Sequence, residues 1–185
     1  AIAAGSAQLG HAFAQAQARR DAINAHLDSL SQHTGAAKIT LDGEADMQAG
    51  MMEFKEQLQK QQGTDERNWK VWVKGEDGEL QEYSPDDGAE VFLNNQFNKM
   101  LKRANDIYGP EAKAMVAANL SKQAFSNLSA FRSEHLKLRH DKQLADWQVV
   151  AEEYSNKAAD PTYPFRDDAK RFLDNHITAG MKTGI

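Results

Sequence analysis

The chain carries six histidines and no cysteine, and this limits the metal and nucleophile chemistry open to it. Without thiols there is no disulfide framework, no Cys-ligated zinc and no cysteine nucleophile. A zinc-protease helix needs two His four residues apart with a Glu between them, because that spacing aims both imidazoles at one ion. His135 and His140 are five apart and turn to different sides. With His11, His26, His33 and His176 they complete no ligand set and read as solvated helix histidines. The acid pairs Glu44/Asp46, Asp86/Asp87 and Glu152/Glu153 fall where helix caps and exposed helix faces ordinarily carry acids, not where a general acid faces a base. Gly75-Glu-Asp-Gly78 repels a phosphate by its own charge and lacks the repeated ligands and closing Glu of a calcium loop. The residues predict no catalytic group, no cofactor and no metal site.

Two clusters could bind rather than react. Between Arg132 and Lys142 the cations Arg132, Lys137, Arg139 and Lys142 alternate with Glu134 and Asp141. This is the best local candidate for a weak contact with DNA, although no aromatic side chains interleave for base stacking, and a salt-bridged helix face is the plainer reading. Met47, Met51 and Met52 have no His or Cys beside them, so they read as packing rather than a soft-metal site.

The elements that would position these groups are mostly helical. The 185 residues amount to one domain's worth of chain. Alanine supplies 28 of them while Phe, Trp and Tyr reach 8%, a composition that forms helices readily and cores thinly. The net charge of −5 excludes a diffuse basic surface. No basic leader precedes an apolar run near the start, and no apolar stretch is long enough for a transmembrane helix. The start at Ala1 and the apolar end at Ile185 suit a trimmed chain or part of a longer one.

Residues 1–35 carry a heptad pattern: Ile2, Leu9, Ala16, Ile23 and Leu30 form one seam, and Ser6, Phe13, Arg20 and Leu27 the other. Ile2, Leu9, Phe13, Ile23, Leu27 and Leu30 are the candidates for a seam between subunits, with packing on the chain's own core as the alternative. Ser31 to Gly35 reads as the exit of this helix, and Asp42 as the N-cap of a second, with Met47, Met51, Phe54 and Leu58 as its stripe.

Residues 36–109 place helices around one β-hairpin. Trp69 to Lys74 alternates in strand period, Gly75 to Gly78 supplies the turn, and Leu80 to Tyr83 alternates again. Trp69, Val71 and Val73 share one face and Trp72 takes the other, which makes Trp69 and Trp72 candidate contact residues. Ser84-Pro85-Asp86-Asp87 is a strong helix start, and Gly109 ends that helix.

Residues 110–185 are expected to form a long helix and a short one. From Glu111 to Ala159 there is no Gly or Pro, a length that would span about 74 Å as one helix. Phe125, Leu136, Trp147 and Ala158 recur every eleven residues across the Ser-rich middle, favouring one helix or two nearly collinear ones. Phe125, Leu136 and Trp147 extend the candidate oligomer seam. Asp160-Pro161 stops the helix, and a final amphipathic helix runs from Phe165 until Gly180 ends it. The expected fold is mostly α, with long, coiled-coil-like helices and one small hairpin near 69–83.

The region from Ala89 to Ile185 resembles a style of chain found in phage virions. A helix punctuated by Phe and Tyr leads to a long polar helix with an internal Trp, here Gln143-Leu-Ala-Asp-Trp147; then come Asp160-Pro161 and a short helix ending in Ile177-Thr-Ala-Gly-Met181. This is similar to the internal virion (ejection) proteins of short-tailed bacteriophages and their tape-measure-like helical relatives. The resemblance implies a structural virion protein delivered into the host cell envelope on infection. There it would work beside other virion proteins as a homo-oligomeric scaffold or tube for DNA ejection. Some such proteins carry a lytic transglycosylase domain with its catalytic acid in a Glu-Ser dipeptide; no Glu here is followed by Ser. A small helical binding module, an effector or adaptor with a recognition hairpin, is the alternative.

Overall fold

The computed structural model describes residues 2–75 and 77–184, with side chains for residue 15 and from residue 17 onward within those ranges. The fold is mostly α: α1 (Ile2–Gln61), a 3-10 turn (Glu66–Asn68), β1 (Val71–Lys74), β2 (Leu80–Tyr83), α2 (Pro85–Tyr108), α3 (Pro110–Ala159) and α4 (Arg166–Thr183). The strands pair antiparallel, with Val71 opposite Tyr83 and Lys74 opposite Leu80. By their contacts the residues divide into two compact units, Ala1–Met51 with Glu90–Asn127, and Met52–Ala89 with Leu128–Ile185.

In the first unit, α1 does not exit at Ser31–Gly35, and Asp42 does not cap a new helix. One helix runs through both. The reason lies on α2, which packs antiparallel against it. A Cβ on Gly35 would fall 2.3 Å from the Tyr108 ring and one on Gly50 2.1 Å from the Phe92 ring, while Gly43 faces Met100 and Leu120. Glycine costs a helix interior about 1 kcal/mol relative to alanine; here the missing methyl is the space an aromatic ring occupies, and burial of that ring offsets the cost. Asp42, instead of capping, takes Arg103 at 3.0 Å, and Lys99 lies 3.9 Å from Asp46. Ile39, Met47, Leu93, Met100, Val116 and Leu120 fill the core.

The second unit is built on the end of α1, where Phe54 and Leu58 are buried and complete the stripe begun by Met47 and Met51. Phe54 meets Phe131 of α3 edge-on at 6.3 Å, and Lys55 pairs with Glu134. The hairpin turns its Trp69, Val71 and Val73 face inward, and Val71 fills the space above Gly88 at the start of α2. α3 is continuous across the Ser-rich region. Ser and Asn there lower helix preference without forbidding it, and no glycine or proline interrupts the ladder.

α4 returns antiparallel along α3. It passes through Gly180, where the sequence suggests its end, and stops at Gly184, which holds the left-handed φ of +77° that closes a helix at low cost to glycine. Gly180 stays helical because the Trp147 indole lies on it, 2.6 Å from where a Cβ would stand.

Candidate functional site

The most concentrated set of polar side chains with buried members sits in the second unit, at the start of α2. Proline at the first helical position costs no hydrogen bond, and Ser84 before it exchanges contacts with Asp87: the Asp87 N–H reaches Ser84 Oγ at 3.4 Å, and that hydroxyl donates to Asp87 Oδ2 at 2.6 Å. With Asp87 engaged in the cap, the next carboxylate is free to leave the helix axis. Asp86 Oδ1 meets His135 Nδ1 of α3 at 3.0 Å.

His135 is not a solvated helix histidine. It is buried, stacked near Phe131 at 6.3 Å and tilted against Trp69 at 6.2 Å. The spacing of Phe131, His135 and Leu138 (i, i+4, i+7) was the available signal, since it places the imidazole on the apolar stripe of α3.

A cleft of about 330 Å³ opens beside this pair, with Glu66, Lys70, Ser84 and Arg139 in its lining. Glu66 Oε1 takes Gln143 Nε2 at 2.5 Å and Arg139 at 3.5 Å, whereas its buried Oε2 has no partner among the described residues. On the rim, Asp65 caps the 3-10 turn by accepting the Arg67 N–H at 3.0 Å. The Arg67 side chain hydrogen-bonded to it, reinforced by that backbone N–H, lowers the Asp65 carboxyl to about 2. A carboxylate on a histidine nitrogen could orient an acid–base group, but the Ser84 hydroxyl is directed at Asp87, and no group of three metal-ligating side chains forms among the described residues. What the pair does in this geometry is fasten the start of α2 to α3.

A second cluster joins α3 to α4. Trp147 stacks on His176 at 5.2 Å and 13°; its Nε1 donates to the His176 carbonyl at 3.3 Å, and His176 Nε2 lies 3.1 Å from the Trp147 carbonyl. Tyr154 and Phe172 stack one turn further on, with centroids 3.9 Å apart.

The residues singled out from the sequence fall into three groups. Trp69 is 1% exposed, with its Nε1 donating to the Gln61 carbonyl at 2.9 Å, and Trp147 is half-buried under α4. Ile23, Leu27 and Leu30 on α1, Phe125 and Leu136 on α3, and Trp72 on the hairpin are exposed. Ile2, Leu9 and Phe13 lie outside the described side chains. Of the four cations in the basic cluster, Arg139 pairs with Glu66 and Lys142 with Asp146 inside the chain. Arg132 and Lys137 are exposed. Among the described residues no helix is long and apolar enough to cross a membrane.

The chain matches no family model, no curated protein and no solved structure.

Proposed function

We propose that this chain is a structural protein that works by self-assembly, forming an oligomeric helical scaffold or tube. The observation that supports this reading is the exposure of an apolar stripe on a helix with nothing of its own chain against it. Ile23, Leu27 and Leu30 are 59%, 56% and 50% exposed, and every residue from Gln17 to Ser31 is exposed. A lone helical stretch of that length is marginal in water and is stabilised when a partner covers its apolar face. The texture of residues 89–185 adds the setting: a bacteriophage virion, with the scaffold delivered into the host envelope beside other virion proteins to aid genome ejection. The role is mechanical, and contact with the phage DNA through Arg132, Lys137, Arg139 and Lys142 is secondary to it.

Size-exclusion chromatography with light scattering tests the reading. A mass above one chain that grows with concentration is expected, and Ile23→Asp with Leu27→Asp should return it to one chain. A strict monomer at every concentration would overturn it.

A further inference from the structure

The exposed part of α1 also contains information about how it pairs. Large apolar residues at i, i+4 and i+7 make a stripe two positions wide per heptad, the width of a seam for one partner helix rather than of a face that beds on a globular core. In the frame set by Ile23, Leu27 and Leu30, the seam position one turn before Ile23 is Arg20, and Arg19 flanks it. Both side chains are exposed, and the nearest acids on the same helix, Asp21 and Asp28, point away from the seam by their positions in the heptad.

That placement discriminates between the two orientations of a self-pair. Parallel and in register, Arg20 stacks on the partner's Arg20 with both copies of Arg19 alongside, so four guanidinium groups share one layer and repel. Antiparallel, with each residue i opposite residue 50 − i, Ile23 meets the partner's Leu27 in two equivalent layers around a two-fold axis near Ala25. The aliphatic stem of Arg20 then lies on the partner's Leu30, and its guanidinium reaches along the edge of the seam toward the partner's Asp28. The like charges separate and opposite charges approach, twice by symmetry.

We infer that the exposed stretch of α1 docks a second copy of itself antiparallel, with Arg20 and Asp28 as the residues that select the orientation. The inference rests on the self-association proposed above and adds the partner segment, its direction and its register. The seam is short, so pairing is concentration-dependent, and Arg20 lowers its strength in exchange for direction, as a polar seam residue does in coiled coils generally.

The absence of cysteine makes the full chain a clean background for single spin labels. Ala18 and Ala25 occupy the same outward heptad position and are exposed or, for Ala25, fully on the outer face. With Ala18→Cys and Ala25→Cys each carrying a nitroxide, pulsed dipolar spectroscopy on the oligomer should give a longer distance at 18 than at 25. The axial offset grows by about 21 Å between those positions at 1.5 Å per residue per helix. Equal distances at both positions would establish a parallel pair and overturn the inference while leaving self-association standing. A monomeric mass without dipolar coupling would overturn both. As a second reading, Asp28→Arg should weaken association about tenfold and Arg20→Asp with Asp28→Arg should restore most of it; failure of the swap to restore association also counts against this register.

Discussion

The Gln61 side chain closes a bridge with the backbone of Lys70 as a neighbouring strand would: its Oε1 accepts the Lys70 N–H at 2.8 Å and its Nε2 donates to the Lys70 carbonyl at 2.7 Å. One turn earlier, Gln57 Oε1 accepts the Trp72 N–H at 3.0 Å. The match is geometric. Residues i and i+4 rise about 6 Å along a helix, and residues i and i+2 about 6.7 Å along a strand. Two glutamines on α1 therefore satisfy the outer edge of β1, which would otherwise offer unpaired groups to any passing strand. Gln61→Ala should cost about 1–2 kcal/mol in chemical denaturation, from two part-buried hydrogen bonds. Amide exchange should accelerate at Lys70 before it does in α3; unchanged exchange at Lys70 would contradict this role.

Gly50 and Gly63 should respond in opposite ways to the same methyl group. At Gly50 the Phe92 ring occupies the space, so Gly50→Ala forces the ring aside at about 1–3 kcal/mol and outweighs alanine's better helix propensity. At Gly63 nothing lies within 4 Å, and alanine there should be neutral or slightly stabilising. Thermal unfolding of the two variants decides it; a stabilised Gly50→Ala would mean that the close approach of α1 and α2 is not required.

Replacing His135 should hurt more than replacing its partner. His135→Ala removes a buried ring between Trp69 and Phe131 and should lose about 2–4 kcal/mol, whereas Asp86→Asn keeps an oxygen able to accept from Nδ1–H and should lose about 1 kcal/mol. Urea titrations of both, with Trp69 fluorescence as the probe, provide the comparison. Equal losses would assign the energy to the ion pair rather than to the packing of the ring.

Asp65 makes the cap of the 3-10 turn acid-resistant. Its carboxyl is lowered to about 2 from an ordinary 3.8, first by the hydrogen bond from the Arg67 side chain. A carboxyl whose pKa is depressed in the folded state contributes stability that is fully present above its unfolded value. That contribution is lost as pH falls through the folded value, so the window here runs from just above 3.8 down to about 2. Carboxyl chemical shifts should show Asp65 titrating near 2, and in Arg67→Ala moving back toward 3.8; titration near 3.8 in the unaltered protein would dismiss the cap pairing.

Much of the local structure was legible because it depends on neighbours in the chain. The alternation of Trp69 to Lys74 and Leu80 to Tyr83 around a Gly-Glu-Asp-Gly turn specifies the hairpin and its inward face. Ser84-Pro85 starts α2, Gly109 ends it with a φ of +88°, and the unbroken apolar period of α3 carries it past the serines. Each of these follows from backbone propensity and spacing within a few residues.

Tertiary structure decided the positions where a local signal meets a distant side chain. Gly35, Gly50 and Gly180 look like helix ends because glycine weakens an isolated helix, but Tyr108, Phe92 and Trp147 convert them into points of close packing inside α1 and α4. His135 and Asp86 read as a solvated histidine and a helix-start acid until the fold closes the 49 residues between them and buries the ring. The sequence by itself determined the helical class, the hairpin and the absence of thiol chemistry, since composition and short-range periodicity govern those. Which glycines continue a helix and which histidine is buried depend on the size and shape of a side chain brought up from elsewhere in the chain, and only packing supplies that.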